Sequence, residues 1–229
     1  MPSDKARFAA WAALSLVGLL IWDTSGLDLL LAQRVGGPAG FALRDNWLLS
    51  QVLHNGTRPV SWALVLALCM GVVWPVGPLA RLGFARRVQL PATALLASGV
   101  VVALKSLSAT SCPWDLADFG GVALHVSHWR GWVATDGGSG HCFPAGHAST
   151  GFAFVGGYFA LRQQLPHLAR VWLAAALTVG FALGAVQQLR GAHFMSHTLW
   201  TAWLCWMVAG LSDPLFSRPA NGLAVRSAL

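Results

Sequence analysis

Three histidines in two short stretches are the side chains best able to do chemistry. In Phe143-Pro144-Ala145-Gly146-His147 a Pro-x-Gly turn opens directly into an apolar run. Such a turn before a helix leaves backbone N–H groups unpaired at the positive end of the dipole, where they draw an oxyanion. His147 at its edge can give a proton to a leaving oxygen, because imidazole titrates near neutral pH. In Arg190-Gly191-Ala192-His193-Phe194-Met195-Ser196-His197 the two histidines stand four residues apart. If the stretch is helical they share one face. A nucleophilic imidazole needs its second nitrogen fixed by an acceptor that selects the tautomer, and His197 is placed to supply that acceptor for His193. Lys105, eight residues before Pro113, adds a positive charge.

The elements that must position these groups are membrane helices. Of 229 residues 55% are hydrophobic and only 10% are charged, with twelve Trp, one Tyr and no Glu, against roughly 25% charged in a soluble domain. That excludes an ordinary soluble enzyme and predicts an all-α bundle with aromatic ends. Six runs read as spans: Phe8 to Trp22, Val60 to Ala80, Pro91 to Leu104, His147 to Leu161, Val171 to Gln188 and Thr198 to Leu211. No A-x-A-like cleavage site follows the first, which is expected to remain as a helix. A single domain covers 1–229, with its core at about 59–212. Gly151, Gly156 and Gly157 are expected to allow close helix approach, and Trp200, Trp203 and Trp206 to serve packing or an interfacial belt.

Charge sets the expected orientation. Lys5, Arg7, Arg81, Arg86, Arg87, Arg162, Arg170, Arg218 and Arg226 fall on one side with only Asp4 and Asp213, a balance of +7. Arg34, Arg44, Arg58, Lys105, Arg130 and Arg190 fall on the other and are matched by Asp23, Asp28, Asp45, Asp115, Asp118 and Asp136. Both termini are therefore expected to be cytoplasmic, with outer loops at roughly 23–59, 105–146 and 189–197. Leu27 to Val35 and Phe41 to His54 read as helices lying in the interface. His54, His125, His128, His141, His147, His193 and His197 all fall on the outer side, and only His167 falls inside. The bases are scattered between apolar runs, so nucleic-acid binding is not expected.

Lys105 with Pro113, then Pro144-Ala145-Gly146-His147, then Gly191-Ala192-His193-Phe194 with Ser196, resembles the three-part signature of the type 2 phosphatidic acid phosphatase superfamily. The resemblance covers roughly residues 59–212 and implies a six-helix integral-membrane phosphatase of the bacterial inner membrane, its site facing the periplasm or exterior. It implies that His193 is the nucleophile that becomes phosphorylated and that His147 protonates the leaving group. Lys105 and the turn around Ala145 and Gly146 would hold the phosphoryl oxygens. The substrate would be a lipid-linked phosphate monoester or diphosphate drawn from the bilayer. No cofactor or metal is required.

Four positions depart from the pattern. Cys112 stands where an Arg usually precedes the Pro, and Ala145 replaces a Ser. Gln187 stands for the Arg six residues before the nucleophile, and His197 for the Asp four residues after it. Arg190, one turn before His193, and Arg130 in the long loop are candidate replacements for the lost guanidinium groups. A neutral His197 accepts as a carboxylate would, without the charge that stabilises an imidazolium. Slower chemistry or a lower-pH dependence is therefore expected. Cys112 adjoins Pro113 and Cys142 lies two residues before Pro144, and a bridge between them would tie the first motif to the second in an oxidising compartment. The alternatives are a silent relative that binds phosphorylated lipids, a small His-lined transporter, and a zinc site on His141, His147, His193 and His197 with Asp115 and Asp118 as spare ligands.

Overall fold

Leu- and Ala-rich runs with few interior breakers sustain the i→i−4 hydrogen-bond ladder, and the chain is helical wherever they occur. The computed structural model describes residues 4–217; Arg218 and Arg226, counted above toward the basic side, lie outside the described residues. In chain order α1 is Asp4–Thr24, α2 Leu27–Val35, α3 Thr57–Val73, α4 Phe84–Leu107, α5 Ser149–Phe152, α6 Gly156–Leu161, α7 Pro166–Leu189 and α8 Met195–Ser217. Lys5–Thr24, Leu48–Val73, Phe84–Leu107 and Pro166–Leu189 are long and apolar enough to cross a membrane. Their outward faces expose Trp11, Leu66, Met70, Leu96 and Val102, which suits a hydrocarbon surround.

Two stretches differ from the expectation. The second run ends at Val73 rather than Ala80, because Pro75, Gly77 at φ 55° and Pro78 break the ladder. Phe41 to His54 is not one helix. Glycines at 36, 37 and 40 fold the chain into a two-residue antiparallel hairpin, β1 (Gly36–Gly37) with β2 (Gly40–Phe41). A π-helical run, Leu48–Asn55, then continues toward α3.

The core joins Leu90, Ala94, Ala97 and Val101 of α4 to Phe152, Val155 and Phe159 of the α5–α6 segment and to Cys205 and Ala209 of α8. Close approach depends on glycines, among them all three expected from the sequence: a Cβ on Gly157 would strike the Trp172 indole in α7. A Cβ on Gly151 would strike the backbone of Gly180 in α7, and one on Gly156 would strike the Thr93 side chain in α4. At one end of the bundle Asp213 accepts from Arg86, Gln89 and Arg162. At the other end residues 108–146 form a long cap held by Asp136, which accepts from Ser111 N at 2.7 Å, Ser111 Oγ at 2.6 Å and Gly138 N at 3.1 Å.

Candidate active site

The site forms where the cap meets the C-terminal end of α4 and the N-terminal end of α8. Gly191 at φ 74° turns the chain out of α7, and Phe41 fills the place a Cβ would need, so glycine is required there twice over. The turn sets His193 just ahead of α8 and His197 in its first turn; both are buried. Their Nδ1 atoms lie 3.4 Å apart. Two like nitrogens can share a hydrogen bond only when one carries the proton and the other offers its lone pair. With His193 as donor, its Nε2 keeps a free lone pair. The Pro144–His147 turn is stitched to the same helix. Ala145 N donates to His197 O at 3.2 Å, and Thr201 Oγ1 sits 3.2 Å from Ala145 O and 2.8 Å from His197 O.

Lys105, in the last turn of α4, runs along Gly146, where a Cβ would come within 3.4 Å of its Cδ. Lys105, His197 and His147 all act electrostatically on His193. Burial first, and then these three neighbours, hold the His193 imidazole well below its ordinary 6.5, so at neutral pH it is an uncharged base. His147 is half-buried at the head of the turn, and its carbonyl accepts from Thr150 N.

Arg190 is buried and turned across the end of α7. Its Nε donates to Arg44 O at 2.9 Å, one terminal nitrogen to Gln187 Oε1 at 3.3 Å, and its guanidinium lies 5.9 Å from the Trp114 ring centre. The Arg130 side chain is exposed on the cap; its backbone N donates to Ser127 O and its carbonyl accepts from Val133 N and Ala134 N. His141 is exposed at φ 55°, its Nδ1 3.3 Å from Lys105 O. Asp115 accepts from Ser139 Oγ.

Cys112 and Cys142 are joined by a disulfide. Cys142 Sγ lies 3.5 Å from His193 Nδ1 and 2.8 Å from Ala192 O; a bridged sulfur has no proton to give, so both are packing contacts. Cys142, His193 and His197 bring candidate ligand atoms within 4.8 Å of one another. With the bridge formed Cys142 offers no thiolate, which leaves two imidazoles, fewer protein ligands than a zinc site uses.

Three groups near the site were not singled out as site residues from the sequence. Arg58, at the start of α3, acts electrostatically on Lys105. His128 in the cap stacks on Phe143 at 4.1 Å between ring centres and meets the His197 ring edge-on at 6.1 Å. Asp23 near the end of α1 lies 3.4 Å from His128 Nε2. Only their charge or their ring marks them in the sequence, and no local spacing ties them to the motifs.

Apolar helices of membrane length thus carry, at one end, a buried imidazole, a lysine and a glycine turn side by side. The family model of the PAP2 superfamily matches residues 87–218, more than half of the chain, and the chain belongs to that superfamily. Its members are generally phosphatases acting on phosphate esters. No curated protein and no solved structure matches the chain.

Proposed function

We propose that the protein hydrolyses a lipid-linked phosphate monoester or diphosphate through a phosphohistidine. The observation that supports this reading is the Nδ1-to-Nδ1 contact of His193 and His197 at 3.4 Å; with His193 donating, its Nε2 is free to act as the nucleophile, while Lys105, which acts electrostatically on the same ring, runs along the Gly146 turn. His193 Nε2 attacks phosphorus, and the P–O bond to the leaving group breaks as His147 protonates that oxygen. Lys105, the Ala145–Gly146 turn and Arg190 balance the charge on the equatorial oxygens. Water deprotonated by His147 then attacks the phosphohistidine and releases inorganic phosphate.

In this reading the α5–α6 segment and α8 join the four long helices as further spans, making six. Both termini are cytoplasmic and the site opens at the outer leaflet of a bacterial inner membrane, where the substrate arrives sideways from the bilayer. The Cys112–Cys142 bridge supports that side, since disulfides persist in oxidising compartments.

Purified protein is expected to release phosphate from a panel of lipid phosphates, and both His193→Ala and His147→Ala are expected to abolish release. Brief incubation with radiolabelled phosphate ester should leave an acid-labile, base-stable label on wild type that His193→Ala lacks. Release retained in both variants refutes the assignment. Lipid binding without release assigns a silent relative instead.

A further inference from the structure

His197 also borders a largely enclosed cavity of about 150 Å³, whose lining includes Asp23, Asp28, His128, Asp136 and Ser196 but not His193. That is far above the roughly 10–15 Å³ a single water needs. Two buried polar atoms at its wall, His128 Nε2 and Ser196 Oγ, make no hydrogen bond in the described structure. His128 Nε2 nevertheless stands 3.4 Å from Asp23 Oδ2, close enough for charge to act without bond geometry. His197 Nδ1 is engaged with His193, so the nitrogen left for the cavity is Nε2.

The superfamily pattern puts a carboxylate where His197 stands, and a neutral imidazole does that work only if its own proton is held on Nε2. That requires an acceptor behind it. His197 is faced by His193 from the α7–α8 turn, Lys105 from α4, His128 and the Cys142 backbone, a hydrogen-bond partner of both rings, from the cap, and Asp23 and Asp28 across the cavity from α1 and α2. Asp28 is taken up by Trp22 Nε1 and Ser196 N, both at 2.9 Å, and Asp136 by its three cap donors. Asp23 Oδ2 accepts from two indole N–H groups, Trp129 at 3.2 Å and Trp200 at 3.1 Å, and the same oxygen is the one 3.4 Å from His128 Nε2.

We propose that Asp23 is the remote carboxylate of this site: through His128 and water in the cavity it holds the proton of His197 on Nε2. His197 Nδ1 thereby stays free to accept from His193. The missing acid of the signature is supplied by the first helix, outside the segment that matches the family. Asp23 and His128 are positioning residues, since neither touches phosphate. This assignment rests on the phosphatase reading above for its kinetic consequence, but not for its structural one.

The test uses full-length protein in detergent. Asp23→Asn and His128→Gln are each expected to lower kcat on the order of tenfold with KM within twofold, well short of the ~10⁴ lost when a directly bonded carboxylate is neutralised. Asp23→Glu should recover much of the loss. In a His197→Asp background, where the carboxylate is restored in place, Asp23→Asn should cost less than about twofold. Equal losses in both backgrounds, or a change confined to KM, overturn the proposal and leave Asp23 a structural residue. ¹⁵N-histidine NMR reads which His197 nitrogen carries the proton and needs no turnover. Wild type should show Nε2–H, and Asp23→Asn a mixture of tautomers. If wild type releases no phosphate, the phosphatase reading fails, while a tautomer change on Asp23→Asn still upholds the relay. An unchanged tautomer overturns the relay whatever the activity. If Asp23→Asn does not fold, His128→Gln carries the same comparisons.

Discussion

The Arg190 guanidinium reaches back one helical turn to the side-chain amide of Gln187, 3.3 Å away. Position 187 is where the superfamily pattern carries an arginine. Here the cation springs from a different residue and its planar head ends beside the tip of the glutamine. Arg190→Ala is expected to lower kcat/KM on the order of 10- to 100-fold, the scale of one charge-assisted hydrogen bond. Gln187→Arg in that background should recover part of it. Phosphate release unchanged in Arg190→Ala would sink the idea that the guanidinium has moved rather than vanished.

His193 gives a pH prediction with a definite sign. Burial, aided by Lys105, His197 and His147, holds it below 6.5, so the uncharged imidazole persists as the medium is acidified past that value. The acid limb of kcat/KM should fall below pH 6.5; a limb at or above it contradicts the geometry. Stability runs the other way. An unfolded chain takes up the proton near 6.5 while the folded one does not, so the fold should weaken as pH drops from 6.5 toward the lowered native value. Denaturation midpoints across that window check this.

Replacing Cys112 and Cys142 together by Ser opens a loop with a sequence separation of 30, which on chain entropy costs about 3–4 kcal/mol. Activity should drop as well, because the bridged sulfur packs 3.5 Å from His193 Nδ1. Thermal unfolding and phosphate release with and without reductant test both effects. Reductant that breaks the bridge yet moves neither measurement defeats the prediction.

The far end of α8 separates folding from catalysis. Asp213 is shared by Arg86 and Arg162, and Asp213→Asn leaves two guanidinium groups facing a neutral amide. The loss is expected to be about 3 kcal/mol or more, seen as a lower unfolding midpoint. Turnover per folded molecule should stay unchanged, because sixteen helical residues at ~1.5 Å each separate Asp213 from His197.

The local parts of the candidate site are legible in the sequence, and the long-range groups packed around them are not. His147 announces itself through the Pro-x-Gly turn before it, and His193 with His197 through a spacing of four, because both patterns are written in neighbouring residues. Asp23, His128 and Arg58 reach the site from α1, the cap and α3, and nothing in their own surroundings says so. Trp200 illustrates the same limit. Its place in a repeat of three suggested packing, and it does pack, but its indole N–H also fixes Asp23. The stretch from Phe41 to His54 misled because mixed apolar and polar spacing suggests a helix even beside glycines that fold a hairpin. Of the helices, the long apolar ones were the easiest to read, and the end of α3 moved because Pro75 and Pro78 outweigh hydropathy.

The Cys112–Cys142 link also makes one wall of the pocket sensitive to the redox state of the medium. A reductant frees the Phe143–Pro144 stretch from its cross-link to the Pro113 stretch, and the sulfur 3.5 Å from His193 Nδ1 is then held by packing alone.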